Sequence, residues 1–250
     1  MISFAGQRVV ITGAGGGVGS ALTQGFAKAG AVVVACDTTG TDLSGNPIAQ
    51  AHRFDLRDQT AIAQAVKDIL ADGPVDVLIS NAGWTRAETL VAVTPAALSD
   101  EMDRNFTGAV HLCQSLLPSM RARKAGAFVF ISSVNALSHH GNPAYSAAKA
   151  ALLAWMRAIA VEEGKHGIRA NAVIPASIRT NAWEHRLKSD PGVLDRLAAL
   201  YPLRRVVTTG EVANAVLFLA SPLASGITGT SLSVDAGLMA GNLPFLTAIS

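Results

Sequence analysis

Residues 8–19 read RVVITGAGGGVG, an apolar β-branched run that passes directly into a glycine-rich loop. By composition Arg8–Thr12 is a buried parallel strand. The loop after it fits TGxxxGxG through Thr12, Gly13, Gly17 and Gly19, whereas the commoner GxGxxG spacing fails at Val18 and at Ser20. Glycines between a strand and a helix let the backbone approach a pyrophosphate, whose charge then rests on the helix N-terminus. Asp37 ends the next apolar run, 18 residues after Gly19. That is near the ~20-residue offset at which a carboxylate takes the adenosine ribose hydroxyls. Thr38 and Thr39 come next and the loop holds no Lys or Arg, so no cation is expected beside this carboxylate.

Outward from this unit the same rhythm continues. Ala31–Cys36, Val75–Ser80, Ala127–Ser132 and Ile168–Ile174 read as further buried strands, with weaker candidates at Gln50–Phe54 and Ser231–Val234. Asp58 is placed to cap a helix whose one face carries Ile62, Ala65, Val66, Ile69 and Leu70, with Gly73-Pro74 ending it. Thr208 and Glu211 have capping-box spacing before Val212–Ala220, and Pro222 comes after as a stop. Alternating strands and helices predict an α/β fold: one doubly wound parallel sheet of about seven strands, with helices on both faces. Nothing repeats and no linker divides residues 1–250, so a single domain is expected. Thr38–Pro47 is too rich in Thr, Gly, Asn and Pro for a helix and reads as loop. Asn181–Arg205, with Trp183, His185, Leu187 and Tyr201, comes after the sixth strand, where an insertion covers the ligand edge of such a sheet.

Composition narrows the class. Half the 250 residues are hydrophobic and 15% are charged, which supplies a large core and excludes disorder. Twenty Lys and Arg against eighteen Asp and Glu are too balanced for a nucleic-acid or membrane-surface binder. Cys36 and Cys113 lie 77 residues apart with no CxxC, so neither a disulfide framework nor a cysteine metal site is expected. No apolar run approaches ~18 residues, and residues 1–8 carry no basic start before an apolar stretch. A cytoplasmic protein is the expectation. His139-His140 lacks metal-pair spacing and reads as pocket wall or solvated loop, so no metal is expected. Trp84 and Trp183 fit pocket or interface equally well.

From Gly6 to about Gly237 the chain resembles the short-chain dehydrogenase/reductase family, in its single-domain branch. TGAGGGVG at 12–19, Asn81-Ala82-Gly83, Ile131-Ser132-Ser133, Tyr145-Ser146-Ala147-Ala148-Lys149 and Val234-Asp235-Ala236-Gly237 fall in the family's order. The resemblance implies NAD as cofactor, held by Thr12, Gly13, Gly17, Val18, Gly19 and Asp37, together with Asn81, Ala82, Gly83, Tyr145 and Lys149. It implies that Asp55, with Leu56 beside it, meets the adenine amino group. It further implies that Pro175, Ile178 and Thr180 hold the carboxamide, and that Asn105, inside the helix after strand four, holds a water. Two positions depart from the pattern. Ala176 and Ala236 stand where the family usually has glycine.

Tyr145 and Lys149 are four apart, so both leave one face of a helix. A free phenol, with a pKa near 10, is a poor base at neutral pH. A nearby ammonium favours the phenolate, which would take a proton from an alcohol or return it to a carbonyl. Ser132 lies 13 and Ser133 lies 12 residues before Tyr145. Side chains alternate on a strand, so only one can face the substrate, and the motif favours Ser133. The expected catalytic set is Asn105, Ser133, Tyr145 and Lys149, acting on a secondary alcohol or ketone. The resemblance also allows a 3-oxoacyl-[acyl-carrier-protein] reductase or a non-catalytic NAD-binding regulator. Leu238–Ser250, with Met239, Leu243, Phe245, Leu246 and Ile249 and almost no charge, predicts a homo-oligomer, by resemblance a tetramer.

Overall fold

The structure is a computed structural model describing residues 2–85, 89–180 and 188–249. Seven strands form one parallel sheet: β1 (Arg8–Thr12), β2 (Val32–Asp37), β3 (Gln50–Arg53), β4 (Val77–Ser80), β5 (Gly126–Ile131), β6 (Ile168–Pro175) and β9 (Ser231–Val234). A two-stranded ribbon of β7 (Ile178–Arg179) and β8 (Val207–Thr208) stands apart from it. Helices are α1 (Gly17–Lys28), α2 (Gln59–Ala71), α3 (Pro95–Met102), α4 (Gly108–Arg123) and α5 (Pro143–Glu163). Beyond β7 come α6 (Val193–Leu200), α7 (Thr209–Ala220) and α8 (Leu243–Ile249).

The strand order is β3-β2-β1-β4-β5-β6-β9. The chain runs outward from β1 to one edge, then crosses to β4 and builds the other half. That reversal beside β1 opens a crevice at the carboxyl ends of the strands, where ligands bind in such sheets. Alternation along the strands splits the core into two. Val10, Val34, Leu78, Phe128 and Phe130 pack with Ile62, Leu112, Leu116 and Met156 on one face. Val9, Ile11, Val33, Val77 and Val129 pack with Leu22, Phe26, Val212 and Val216 on the other.

The expected caps form. The Asp58 carboxylate accepts from the Ala61 amide at 3.0 Å, and Thr208 with Glu211 closes a capping box at the start of α7. Arg8–Thr12 and Ser231–Val234 form as expected and other strand ends differ by one or two residues; β4 begins at Val77, with Val75 still in the connection from α2. Residues 38–49 contain no helix, as their composition predicted. Asn105 is not in a regular helix. It lies in a π-helical turn, Asp103–Thr107, between α3 and α4, where the extra residue per turn re-aims its side chain inward.

Of Asn181–Arg205, residues 181–187, with Trp183, His185 and Leu187, lie outside the described residues. Tyr201 is 2% exposed and its hydroxyl accepts from the Ser177 amide at 3.2 Å, so the distal end of this stretch is anchored in the core. α8 does not fold back over the domain: Phe245, Leu246 and Ile249 are all exposed. Among the described residues no helix is long and apolar enough to cross a membrane.

Candidate active site

A cleft of about 650 Å³ opens at the switch point. Every residue expected to hold the cofactor lines it: the glycine loop, Asp37, Asp55, Leu56, the 81–83 turn, Tyr145, Lys149, Pro175, Ile178 and Thr180. Trp84 lines it too, with the Arg104 guanidinium 5.1 Å over its ring.

The loop owes its shape to glycine at two points. Gly13 has φ +64°, and a Cβ on Gly19 would lie 2.0 Å from the Gly13 carbonyl oxygen. Asn81 fastens the loop to β4, its amide donating to the carbonyls of Thr12 at 2.9 Å and Gly13 at 3.0 Å. α1 starts with no side-chain cap and no acidic residue in its first turn. Its amides and positive dipole end therefore face the cleft, a fit to a pyrophosphate.

Asp37 is more engaged than its position at a strand end suggested. Its carboxylate accepts from the amides of Gly15 and Thr38, both at 2.8 Å, and from the Thr41 hydroxyl at 3.0 Å. It thus ties the glycine loop to the 38–41 turn. One expectation needs correction here. No cation was expected near this carboxylate, but β3 pairs with β2 in a register that sets Arg53 opposite Asp37. The Arg53 guanidinium donates to the Thr38 carbonyl at 3.3 Å. Arg8, by contrast, is engaged at the far end of the sheet, donating to Ile69, Gly73 and Gln50. Asp55 lines the cleft with its carboxylate paired to Arg57 at 2.6 Å, a bond that holds it below the usual carboxylate range.

Ser132 and Ser133 both line the cleft but bond differently. The Ser132 hydroxyl donates to the Lys149 carbonyl at 3.0 Å, tying β5 to α5. The Ser133 hydroxyl donates instead to the Asn135 side-chain oxygen at 3.2 Å and lines the cleft together with Tyr145. Tyr145 is half-buried, yet its hydroxyl lies deep enough that burial pushes the phenol up to about 12. The nearby Ser133 hydroxyl opposes this rise and the charge of Glu101 adds to it. This corrects the expectation of a phenol lowered by Lys149: desolvation dominates, and Tyr145 rests as an acid. Lys149 is 3% exposed and donates to the Ile131 carbonyl at 2.9 Å. Burial pulls its ammonium down to about 8, against the opposing effect of Glu101.

Asn105 lies behind the cleft wall rather than on it. Its side-chain amide donates to the Trp84 carbonyl at 2.8 Å and to the Glu101 carboxylate at 2.8 Å, and its oxygen accepts from the Trp84 amide at 3.1 Å. Sequence reasoning missed Glu101, Arg53 and Thr41. Only Glu101 left a signal, an acidic side chain four residues before Asn105. Of the two family departures, Ala176 avoids positive φ, whereas Ala236 has φ +51°. His139 and His140 are exposed, with the His140 ring nitrogen 3.4 Å from the Met239 sulfur.

A family model described as enoyl-(acyl carrier protein) reductase matches residues 13–239. An uncharacterized oxidoreductase of Schizosaccharomyces pombe is 38% identical over 239 residues, covering 95% of this chain and 92% of its own. The 3-oxoacyl-[acyl-carrier-protein] reductase MabA of Mycobacterium avium is 35% identical, covering 96% and 92%. Among solved structures, a short-chain dehydrogenase/reductase family oxidoreductase from Burkholderia thailandensis superposes with a TM-score of 0.90 at 40% identity, covering 98% and 97%. Two structures at 28% identity carry different cofactors. A gluconate 5-dehydrogenase from Burkholderia cenocepacia holds NADP and tartrate (TM-score 0.88, covering 96% and 97%). A 3-oxoacyl-[acyl-carrier protein] reductase from Brucella melitensis holds NAD (TM-score 0.85, covering 94% and 92%).

Proposed function

The chain belongs to the short-chain dehydrogenase/reductase family of oxidoreductases, and we propose that it interconverts a secondary alcohol and a ketone with NAD(H), Tyr145 serving as the acid–base group. One observation carries this reading: the Tyr145 phenol, with Ser133 on the same wall and Lys149 over its ring, shares a cleft with an uncapped glycine-loop helix.

The bound nicotinamide would supply or take the hydride. The glycine-loop amides would hold its pyrophosphate, Asp37 its adenosine ribose, Asp55 and Leu56 its adenine, and Pro175, Ile178 and Thr180 its carboxamide. In reduction Tyr145, protonated at rest, gives its proton to the carbonyl oxygen, while the Ser133 hydroxyl orients the same atom. Lys149 then faces the phenolate left behind and stabilises it, and alcohol oxidation runs these steps backwards. Asn105 contributes from behind the wall by holding the Trp84 backbone.

The stretch 181–205 acts in this reading as a substrate lid. Its place after the carboxamide-binding segment supports this, and Tyr201 anchors its distal end in the core. The exposed apolar side chains of α8 support a homotetramer, which light scattering at micromolar concentration would check.

A turnover screen of secondary alcohols and ketones, with nicotinamide absorbance read for both cofactors, tests the activity. Cofactor binding without turnover on any of them would instead make the protein a non-catalytic NAD-binding regulator. A second reading, reduction of a 3-oxoacyl thioester, draws on the protonated Tyr145 and on the Mycobacterium avium relative. Acyl thioesters in the same screen separate the two.

A further inference from the structure

The inner face of α3 buries two residues four apart, Ala97 and Glu101. Helical periodicity calls for an apolar side chain at the second, yet Glu101 is a carboxylate only 3% exposed. Glu101 points toward the catalytic machinery. Its Oε2 accepts from Asn105 Nδ2 at 2.8 Å, and its own carbonyl takes the same amide at 2.9 Å. The other end of Asn105 leads on to Lys149. A Cβ built on Gly83 would lie 2.9 Å from Asn105 Oδ1 and 3.1 Å from Lys149 Nζ, so both atoms face one small space in front of that glycine.

Among the described residues, the charged and titratable groups acting on Lys149 are few. Glu101 comes from α3 and Tyr145 from the helix of Lys149 itself. β5 offers the neutral Ile131 carbonyl, and the π-turn offers the neutral Asn105. On the Glu101 side, Asp100 is paired with both Arg104 and Arg57.

We propose that Glu101 is a positioning residue of this active site, its buried carboxylate supplying the counter-charge for the Lys149 ammonium and fixing Asn105 beside it. The proposal rests on the acid–base reading of Tyr145 and Lys149 but concerns a residue outside that pair. Glu101 opposes the effect of burial on the ammonium, and so favours the cation that faces the phenolate. Its own contribution to Tyr145 has the opposite sign, holding the phenol protonated until it reacts.

Glu101→Gln isolates the charge, because its amide oxygen still accepts from Asn105. The readout is the ¹³Cε resonance of Lys149 titrated in the cofactor-free protein, which needs no substrate. Lys149 should titrate about one pH unit lower in the variant, a tenfold change in its protonation equilibrium. The alkaline limb of kcat/KM for reduction should move with it, and Glu101→Asp should restore part of the difference. Coincident Lys149 titrations in the parent and in Glu101→Gln overturn the proposal. If the Gln variant does not fold, the parent decides: the Glu101 carboxyl ¹³C resonance should shift with the Lys149 midpoint, and a flat trace overturns the pairing. A shifted Lys149 titration together with full turnover by Tyr145→Phe would support the pairing while removing the acid–base reading.

Discussion

The Lys149 ammonium lies over the face of the Tyr145 ring, 5.6 Å from its centre, on the same side of α5. An i, i+4 pair of this kind places a cation beside the phenol without any loop having to order it. Tyr145→Phe removes the transferable proton and leaves the ring. Turnover should fall by about 10²–10⁴-fold with folding and cofactor affinity nearly intact. Steady-state kinetics with a parallel cofactor titration checks this, and retention of more than about half the activity would remove Tyr145 from its assigned role.

The glycine loop, the Tyr145–Lys149 pair and the β1–β2 unit were legible because each is local. Spacing along the chain sets which backbone turns and which side chains share a face. Asn81 and Ser133 were legible only through order and resemblance; the partners of Asn81 lie far off in sequence. Arg53 was not legible at all: what sets it opposite Asp37 is the register of an edge strand, a property of pairing rather than of periodicity. Nor was the raised phenol of Tyr145, because the number of protein atoms around a hydroxyl is a tertiary quantity.

The ammonium of Lys149, drawn down to about 8 by burial, sets a pH limit. It is charged below that value and neutral above it. Since reduction leaves a phenolate that the cation stabilises, kcat/KM for ketone reduction should decline as pH rises through about 8. A kcat/KM profile reports the free enzyme, where this shift applies. A flat profile from pH 7 to about 9.5 would contradict this role for Lys149.

Ala236, at φ +51°, is an alanine in the left-handed region, next to Gly237 at φ +87°. The Asp235 carboxylate holds the turn by accepting from the amides of Gly237 at 3.0 Å and Met239 at 2.9 Å. Alanine there costs about 1–2 kcal/mol, partly offset by its stiffer unfolded chain. Ala236→Gly should therefore stabilise the protein by about 0.5–1 kcal/mol, a rise of a few degrees in Tm. Gly237→Ala should do the reverse, because its new Cβ would lie 2.9 Å from the Pro202 ring. Thermal melts of the two variants test the opposite signs together.

Cofactor preference turns on Asp37 and Arg53 together. The Asp37 carboxylate accepts from Gly15, Thr38 and Thr41, and Thr41 is the partner a ribose hydroxyl can replace, being itself a hydroxyl that lines the cleft. A 2′-phosphate would instead set negative charge against negative charge. Arg53, opposite Asp37 and bonded to the Thr38 carbonyl, is the cation placed to temper that repulsion. Losing a charge-assisted hydrogen bond costs ~1.5–3 kcal/mol, so NAD should be preferred by at least about tenfold. Asp37→Ser should narrow the preference, Arg53→Gln should widen it, and Thr38→Arg should reverse it. Gly15 is no alternative place for a cation, because a Cβ there would lie 2.3 Å from the Thr41 methyl. The check is kcat/KM with each cofactor. Equal efficiency in the unmutated protein would overturn the role of Asp37, whereas an unchanged ratio in Arg53→Gln would remove Arg53 alone.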